Sequence, residues 1–248
     1  MKKRMRRKDL WSMFWRCFLV QGSWNYNSML GLGFCYSALP FIRRFFTNSA
    51  EQQQGLRRHL DFFNAHPYFA SWCLGAVAKL EEEAGRKKWS DRRPIEIFKE
   101  RLMGPLGAIG DQLFWNSIKP AAAGLGVWLA LTIGWLAIPV FLVIYNVPHL
   151  VIRARGIRDG YRKGFDIVSD LTMRKFQKWV DAIHYGGAVI AGLCTVAVLQ
   201  WGARNDRSGL PFFFLGIALS LILLHYRKSI NTILFWATCM ALFFTFLH

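Results

Sequence analysis

Leu102-Met103-Gly104-Pro105-Leu106-Gly107-Ala108-Ile109-Gly110-Asp111-Gln112-Leu113-Phe114-Trp115 opens a largely apolar stretch that closes on Tyr145-Asn146-Val147-Pro148-His149-Leu150. The stretch takes a carboxylate, amides and an imidazole with it. Ionisable groups are expensive at membrane depth and usually face a partner, a cavity or a substrate path. The glycines and prolines imply interrupted helices, which a bilayer tolerates only where backbone is buried in protein or lines a cavity. Broken helices around polar groups are the common architecture of transporter binding sites. This combination predicts an all-α, polytopic membrane protein with broken or re-entrant helices over residues 102–152.

The flanks of that stretch suggest a topology. Arg86, Lys87, Lys88, Arg92 and Arg93 precede it, and Arg153, Arg155, Arg158, Arg162 and Lys163 follow it. If both flanks face the cytoplasm, the chain between them enters the membrane and returns. Residues 102–118 then run inward and 121–151 run back, with Lys119 and Pro120 at the turn. Residues 183–200 form a run long enough to span a bilayer, and 210–226 and 230–247 are further candidates near the lower length limit. A cytoplasmic N-terminus and an external C-terminus follow, although Arg204 and Arg207 then lie outside, which counts against this order. Trp128, Trp135 and Trp201 are expected to include interfacial anchors. Strand-like alternation is scarce.

A formal net charge of +17 would suit a nucleic-acid binder. The cations instead cluster beside apolar segments, the distribution of cytoplasmic membrane flanks, so no nucleic-acid partner is expected. Anionic lipid headgroups are the expected surface partner, at about 1 kcal/mol per cation near the membrane. The five cysteines, Cys17, Cys35, Cys73, Cys194 and Cys239, lack CxxC spacing and read as small hydrophobes.

Residues 1–21 read as a basic amphipathic arm. Lys2, Lys3, Arg4, Arg6, Arg7 and Lys8 precede an apolar run that Arg16 interrupts and no small-residue cleavage pattern follows. Trp11, Phe14, Trp15 and Phe18 share one face at helical spacing, as in an interfacial helix. Residues 22–248 form the membrane domain, with a helical N-terminal part at 22–101, the broken-helix core at 102–152 and C-terminal helices and spans at 153–248. Within 22–101, the expected helices are 22–47 punctuated by Pro40, 50–60, and a helix or helix pair over 59–80 broken at Pro67. Glu81, Glu82 and Glu83 read as the solvated end of a helix.

Asp111 follows glycines spaced by three, which would leave a groove on a helix where another backbone can approach. It either caps a half-helix by accepting free backbone N–H groups or accepts hydrogen bonds from a polar ligand such as a sugar. Asn146 and His149 flank Pro148, which frees a carbonyl in the preceding turn, so they either mark a helix end or contact a substrate or partner. His59 and His66 are seven apart and could share a helix face, but Pro67 disrupts it and no third ligand is suitably spaced, so no metal is expected. His66 fits a polar cluster that orders a turn or packs on a partner subunit. No phosphate-cradling glycine loop and no GxSxG elbow is present, and no cofactor is implied.

These blocks together resemble the IID component of the mannose/fructose/sorbose-type phosphotransferase sugar permeases. The resemblance runs from Gly22-Ser23-Trp24-Asn25-Tyr26 through Leu32-Gly33-Phe34, Leu39-Pro40 with Arg43, His66-Pro67-Tyr68 and Leu80-Glu81-Glu82-Glu83. It is strongest in Met103-Gly104-Pro105-Leu106 and Ile109-Gly110-Asp111, and closes with Asn146-Val147-Pro148-His149, Gly156, Gly160-Tyr161 and Gly164. It implies a multi-pass subunit of the bacterial cytoplasmic membrane that forms the path of a hexose-type sugar with a IIC subunit. It also implies IIA and IIB phosphocarriers, a trimer of IIC–IID pairs, and no phosphorylation or catalysis on this subunit. Asp111 is then placed near the translocation path, with Asn146, His149 and His66 as path or partner contacts. The chain departs from the family's pattern in its short 202–209 connection and its very basic first twenty residues. The shortened connection motivates an alternative, a regulatory or docking membrane protein that keeps the fold without sugar traffic. A lipid-acting membrane enzyme is a third reading, disfavoured because no nucleophile–base pair is recognisable.

Overall fold

A computed structural model of the chain describes residues 4–205 and, beyond them, Ala218. Apart from Ala218, the expected spans at 210–226 and 230–247 lie outside the described residues, as does Cys239. The chain divides into two compact units, Met1–Ile190 and Ala191–His248. The described part is helical throughout, with isolated bridges at Asn25–Met29 and Met29–Phe63 in place of strands.

Eight α-helices follow one another: α1 Arg7–Arg16, α2 Gly31–Phe45, α3 Ser49–Leu60, α4 Ala70–Arg86, α5 Arg93–Gly110, α6 Lys119–Ile133, α7 Ala137–Lys163 and α8 Met173–Asn205. Local chemistry accounts for the ends of α3. Asn48 caps it by accepting the Glu51 N–H at 2.7 Å. At its other end the buried Lys99 ammonium reaches the carbonyls of Arg58, His59 and Asp61 at 3.4, 3.5 and 3.2 Å. A cation at a helix C-terminus satisfies free carbonyls and opposes the dipole. Pro40 removes the donor for the Tyr36 carbonyl inside α2, and the Arg16 guanidinium approaches that carbonyl at 3.5 Å.

Phe34, Phe41, Phe63, Phe69, Phe114 and Met13 are fully buried at the centre of a core drawn from α1, α2, α4, α5 and α7. The amphipathic arm therefore has two faces of different use. Met13, Phe14 and Cys17 enter the core, while Trp11 and Trp15 remain exposed and pack edge to face on each other. Helices α4 and α7 approach so closely that their backbones touch at glycines. A Cβ on Gly75 would stand 2.5 Å from the Ile157 carbonyl oxygen, and one on Gly160 would stand 2.5 Å from that of Trp72.

The central hairpin differs from the sequence expectation in where it turns. The chain stays helical through Lys119 and Pro120, and reverses at Gly134–Leu136. Pro120 follows the preceding helical segment without a break, in the first turn of α6. Upstream, Asp111–Ile118 takes the wider π register. Pro120 leaves the carbonyl of Asn116, one turn earlier, without its helical donor; His184 Nε2 meets it at 3.3 Å, and Ser117 Oγ lies 2.9 Å from the same nitrogen. Gly134 turns with φ +62° and ψ −135°, a conformation that glycine alone adopts readily. Trp135 in this turn is 76% exposed, as an interfacial anchor would be.

Two segments, Arg93–Asp170 and Met173–Ala197, contain stretches long and apolar enough to cross a membrane, and almost none of those stretches is buried in the protein. Val127, Leu131, Ile138, Leu142, Val143 and Val147 all face outward from α6 and α7. An apolar exterior of this extent requires lipid or protein around it.

Candidate functional site

Tyr68 brings three of the four expected site residues together. His149 stacks on its ring with centroids 4.8 Å apart, and His66 meets it edge to face at 4.9 Å. Asn146 joins through His149, whose Nε2 lies 2.8 Å from Asn146 Oδ1. Asn146 also donates to the Leu142 carbonyl at 2.7 Å, so it bridges one turn back and one turn forward along α7. Neither residue marks a helix end, because α7 continues unbroken through Pro148 to Lys163. The Tyr68 and Tyr145 hydroxyls meet at 3.3 Å, closing the cluster.

Arg153, which belongs to the basic flank in sequence, completes it. Its guanidinium lies over the rings of Phe18 and Tyr68, 4.9 and 4.8 Å from their centroids, and donates to the Cys17 carbonyl. Tyr145, His149 and Arg153 recur every four residues, so they form one stripe on α7. That stripe was a readable signal for a cation turned inward.

His66 is 2% exposed and stacks on Phe114, with centroids 5.4 Å apart. Its backbone neighbour is Gly110, where a Cβ would fall 2.2 Å from the His66 Cβ. Burial, assisted by the Arg153 charge, pushes the imidazole down from 6.5 to about 4. His66 is then neutral in the fold, whereas in the unfolded chain it protonates near 6.5. Its stabilisation is complete above that value and is lost as pH falls toward 4. Replacing His66 with Phe is expected to flatten the pH dependence of stability between pH 7 and 4.5, by on the order of 2–3 kcal/mol. Denaturation of the detergent-solubilised protein across that window measures it, and parallel curves for both proteins would exclude the assignment.

Asp111 is placed differently. It continues the helix in αR geometry, so it does not cap a half-helix. Its side chain is exposed and forms no hydrogen bond or ion pair among the described residues. Gly104, Gly107 and Asp111 follow one another three and four residues apart on the same face, and a Cβ at either glycine would meet nothing within 4 Å. The expected groove is present and its floor is open. Its upper end differs, because Gly110 is filled from within the chain by His66.

His59 and His66 do not share a helix, since α3 ends at Leu60. His59 Nε2 instead approaches Glu81 at 3.3 Å. This corrects the solvated-end reading of Glu81–Glu83. Glu81 is fully buried, and accepts from Arg58 Nε at 2.8 Å with Arg92 3.6 Å away. Burial works against its charge, but His59 and the Arg58 and Arg92 guanidiniums outweigh it and hold the carboxyl below the ordinary glutamate range. Burial pushes the His59 imidazole below its ordinary range, with Glu81 acting in the opposite direction. Glu82, also buried, accepts the Met5 N–H at 3.1 Å and the Tyr161 hydroxyl, tying the arm to α4 and α7. Only Glu83 behaves as expected, pairing with Lys79 and Lys87 at the surface.

Residues 4–201 match the family described as the PTS system mannose/fructose/sorbose family IID component. The chain is 38% identical over 207 residues to the mannose-specific EIID component of Escherichia coli (strain K12), covering 82% of this chain and 71% of that protein. It is 36% identical to the fructose permease IID component of Bacillus subtilis (strain 168), covering 82% and 73%. The sorbose-specific EIID component of Klebsiella pneumoniae is 38% identical, again over 82% and 73%. Among solved structures, a chain of the mannose transporter ManYZ in complex with microcin E492 matches with TM-score 0.63 and 38% identity, over 77% of this chain and 70% of that one. A second, described as a membrane protein, matches with TM-score 0.76 and 30% identity over 97% and 96%. The chain therefore belongs to the mannose/fructose/sorbose family of phosphotransferase-system IID components, and is a membrane subunit of a sugar permease.

Proposed function

We propose that this chain is a multi-pass subunit of the bacterial cytoplasmic membrane that builds a sugar path jointly with a IIC subunit, with Asp111 on the shared face. The Asp111 carboxylate, unpartnered among the described residues and beside the open Gly104 and Gly107 surface, carries the proposal. A carboxylate without a partner is costly at membrane depth, so its partner belongs to another chain or to the sugar. The glycines supply what close docking of a second helix needs, a surface without side chains. His66, Tyr68, Asn146, His149 and Arg153 support this face from behind, fixing α5 and the π segment against α7. Phosphoryl transfer takes place on the IIA and IIB partners, and this subunit contributes positioning alone. Three IIC–IID pairs form the assembly, and the basic flanks hold it to anionic headgroups.

Asp111→Ala is expected to reduce sugar uptake by at least tenfold when co-expressed with the IIC subunit. Co-purification separates the two roles: lost assembly means a protein contact, and kept assembly with lost uptake means a path contact. Normal uptake together with normal assembly would exclude both.

A further inference from the structure

Helices α6, α7 and α8, with the π segment, line an open groove of about 550 Å³ within the first unit. Small residues bring α6 and α8 together on one side: Gly187 approaches Ala121, and Gly124 approaches Ile190. The walls differ sharply from end to end. Leu125, Ile144 and Ile190 lie at the deep end, while Phe114, Trp179 and Arg155 lie at the other. Arg155 is the one charged residue in the lining, is exposed, and makes no hydrogen bond or ion pair among the described residues. From Ile144 to Arg155 the groove runs eleven residues along α7, or about 16 Å at 1.5 Å per residue. That is about one leaflet, half of a hydrocarbon core roughly 30 Å thick.

We infer that this groove is a binding site for one anionic phospholipid, with an acyl chain along α7 and its phosphate on Arg155. Each part of the groove matches one part of that ligand. The depth fits an acyl chain in a single leaflet, and the apolar lining offers a headgroup no place at the deep end. Arg155 supplies a fixed donor fork for a phosphate at the shallow end. Trp179, 68% exposed and lining the same groove, has the character of an aromatic at the headgroup boundary. A second protein helix would fill the groove's length but would leave Arg155 in need of an acidic side chain at that one level. The lipid supplies chain and charge together. The inference is independent of sugar traffic and holds for a transporting or a non-transporting permease.

The test uses the full chain co-expressed with its IIC subunit and reconstituted in vesicles of phosphatidylcholine. Phosphatidylglycerol or phosphatidylcholine with brominated acyl chains is titrated in, and the Trp179 signal is taken as the difference from Trp179→Phe. Half-quenching is expected at a mole fraction at least fivefold lower for the brominated phosphatidylglycerol. Arg155→Gln is expected to remove that preference, and Arg162→Gln to leave it intact. Val151→Phe, which adds bulk to the groove wall, is expected to lower quenching by both lipids. Equal quenching by the two lipids in the wild type overturns the inference. So does a Trp179 signal that neither lipid quenches, which would place a protein segment in the groove. Retention of the preference in Arg155→Gln overturns the assignment of the phosphate. Sugar uptake measured in the same vesicles reports separately on the transport proposal.

Discussion

Glu81→Leu is expected to destabilise the protein by roughly 3–5 kcal/mol, the usual cost of stripping one partner from a buried charge network. The carboxylate is fully buried, accepts from Arg58 Nε, and has His59 and Arg92 at 3.3 and 3.6 Å. Removing it leaves Arg58, whose side chain is only 10% exposed, without its nearest counter-charge in the core. The network also joins segments distant in sequence: α3 through Arg58 and His59, α4 through Glu81, and the start of α5 through Arg92. Glu81→Gln keeps the shape but not the charge and is expected to lie between wild type and Leu. The sign of the pH dependence follows from the lowered pKa. The stabilisation is complete above the ordinary glutamate range and disappears as pH falls through the folded-state value. Heating the detergent-solubilised protein and measuring the monodisperse fraction reports the change. A Glu81→Leu protein within about 1 kcal/mol of wild type, at the low end of single-site effects, would show that the network contributes little.

The second large effect is a contrast between two glycines given the same substitution. Helix propensity favours alanine over glycine by about 1 kcal/mol at any interior helical position. At Gly107 the added methyl meets nothing within 4 Å, so Gly107→Ala is expected to match or slightly exceed the wild type in stability. At Gly75 the methyl would stand 2.5 Å from the Ile157 carbonyl oxygen, 2.8 Å from that of Gly156 and 2.9 Å from the Tyr161 nitrogen. All three are backbone atoms of α7 and have no rotamer by which to yield. Gly75→Ala is therefore expected to cost about 1–3 kcal/mol despite its better propensity, through forced separation of α4 from α7. The assembly readout runs the other way. Gly107→Ala is expected to weaken co-purification with the IIC subunit, whereas any loss in Gly75→Ala follows its stability. If both substitutions proved equally harmless, the close approach of α4 and α7 would not be a source of stability.

The two glycines show what a sequence can and cannot say. Gly104, Gly107 and Gly110 announce a smooth helix surface by their spacing, and two of the three are open in the fold. The third is closed by His66, a residue more than forty positions upstream, which no local pattern reveals. Gly156 and Gly160 also have the small-residue spacing of close helix packing. The matching Ser71 and Gly75 lie far upstream on α4, so the pairing needed the fold.

Sequence by itself determined the membrane class, the helical architecture, the basic flanks and the ordered blocks that mark the family. These properties are carried by composition and by periodicity within single helices, which short stretches of chain express without reference to the rest. Tertiary structure alone decided which polar groups turn inward. Glu81 lies among three glutamates that look alike in sequence, and only one of them collects two guanidiniums and an imidazole. Arg153 sits in a basic run, yet its partners Cys17 and Tyr68 come from the arm and the turn before α4. It also took the fold to move the hairpin turn from Lys119-Pro120 to Gly134, because His184 from α8 meets the Asn116 carbonyl that Pro120 leaves free. The physical reason is common to all three cases: burying a charge or bending a helix is settled by partners the chain brings from afar, and a linear pattern does not encode their arrival.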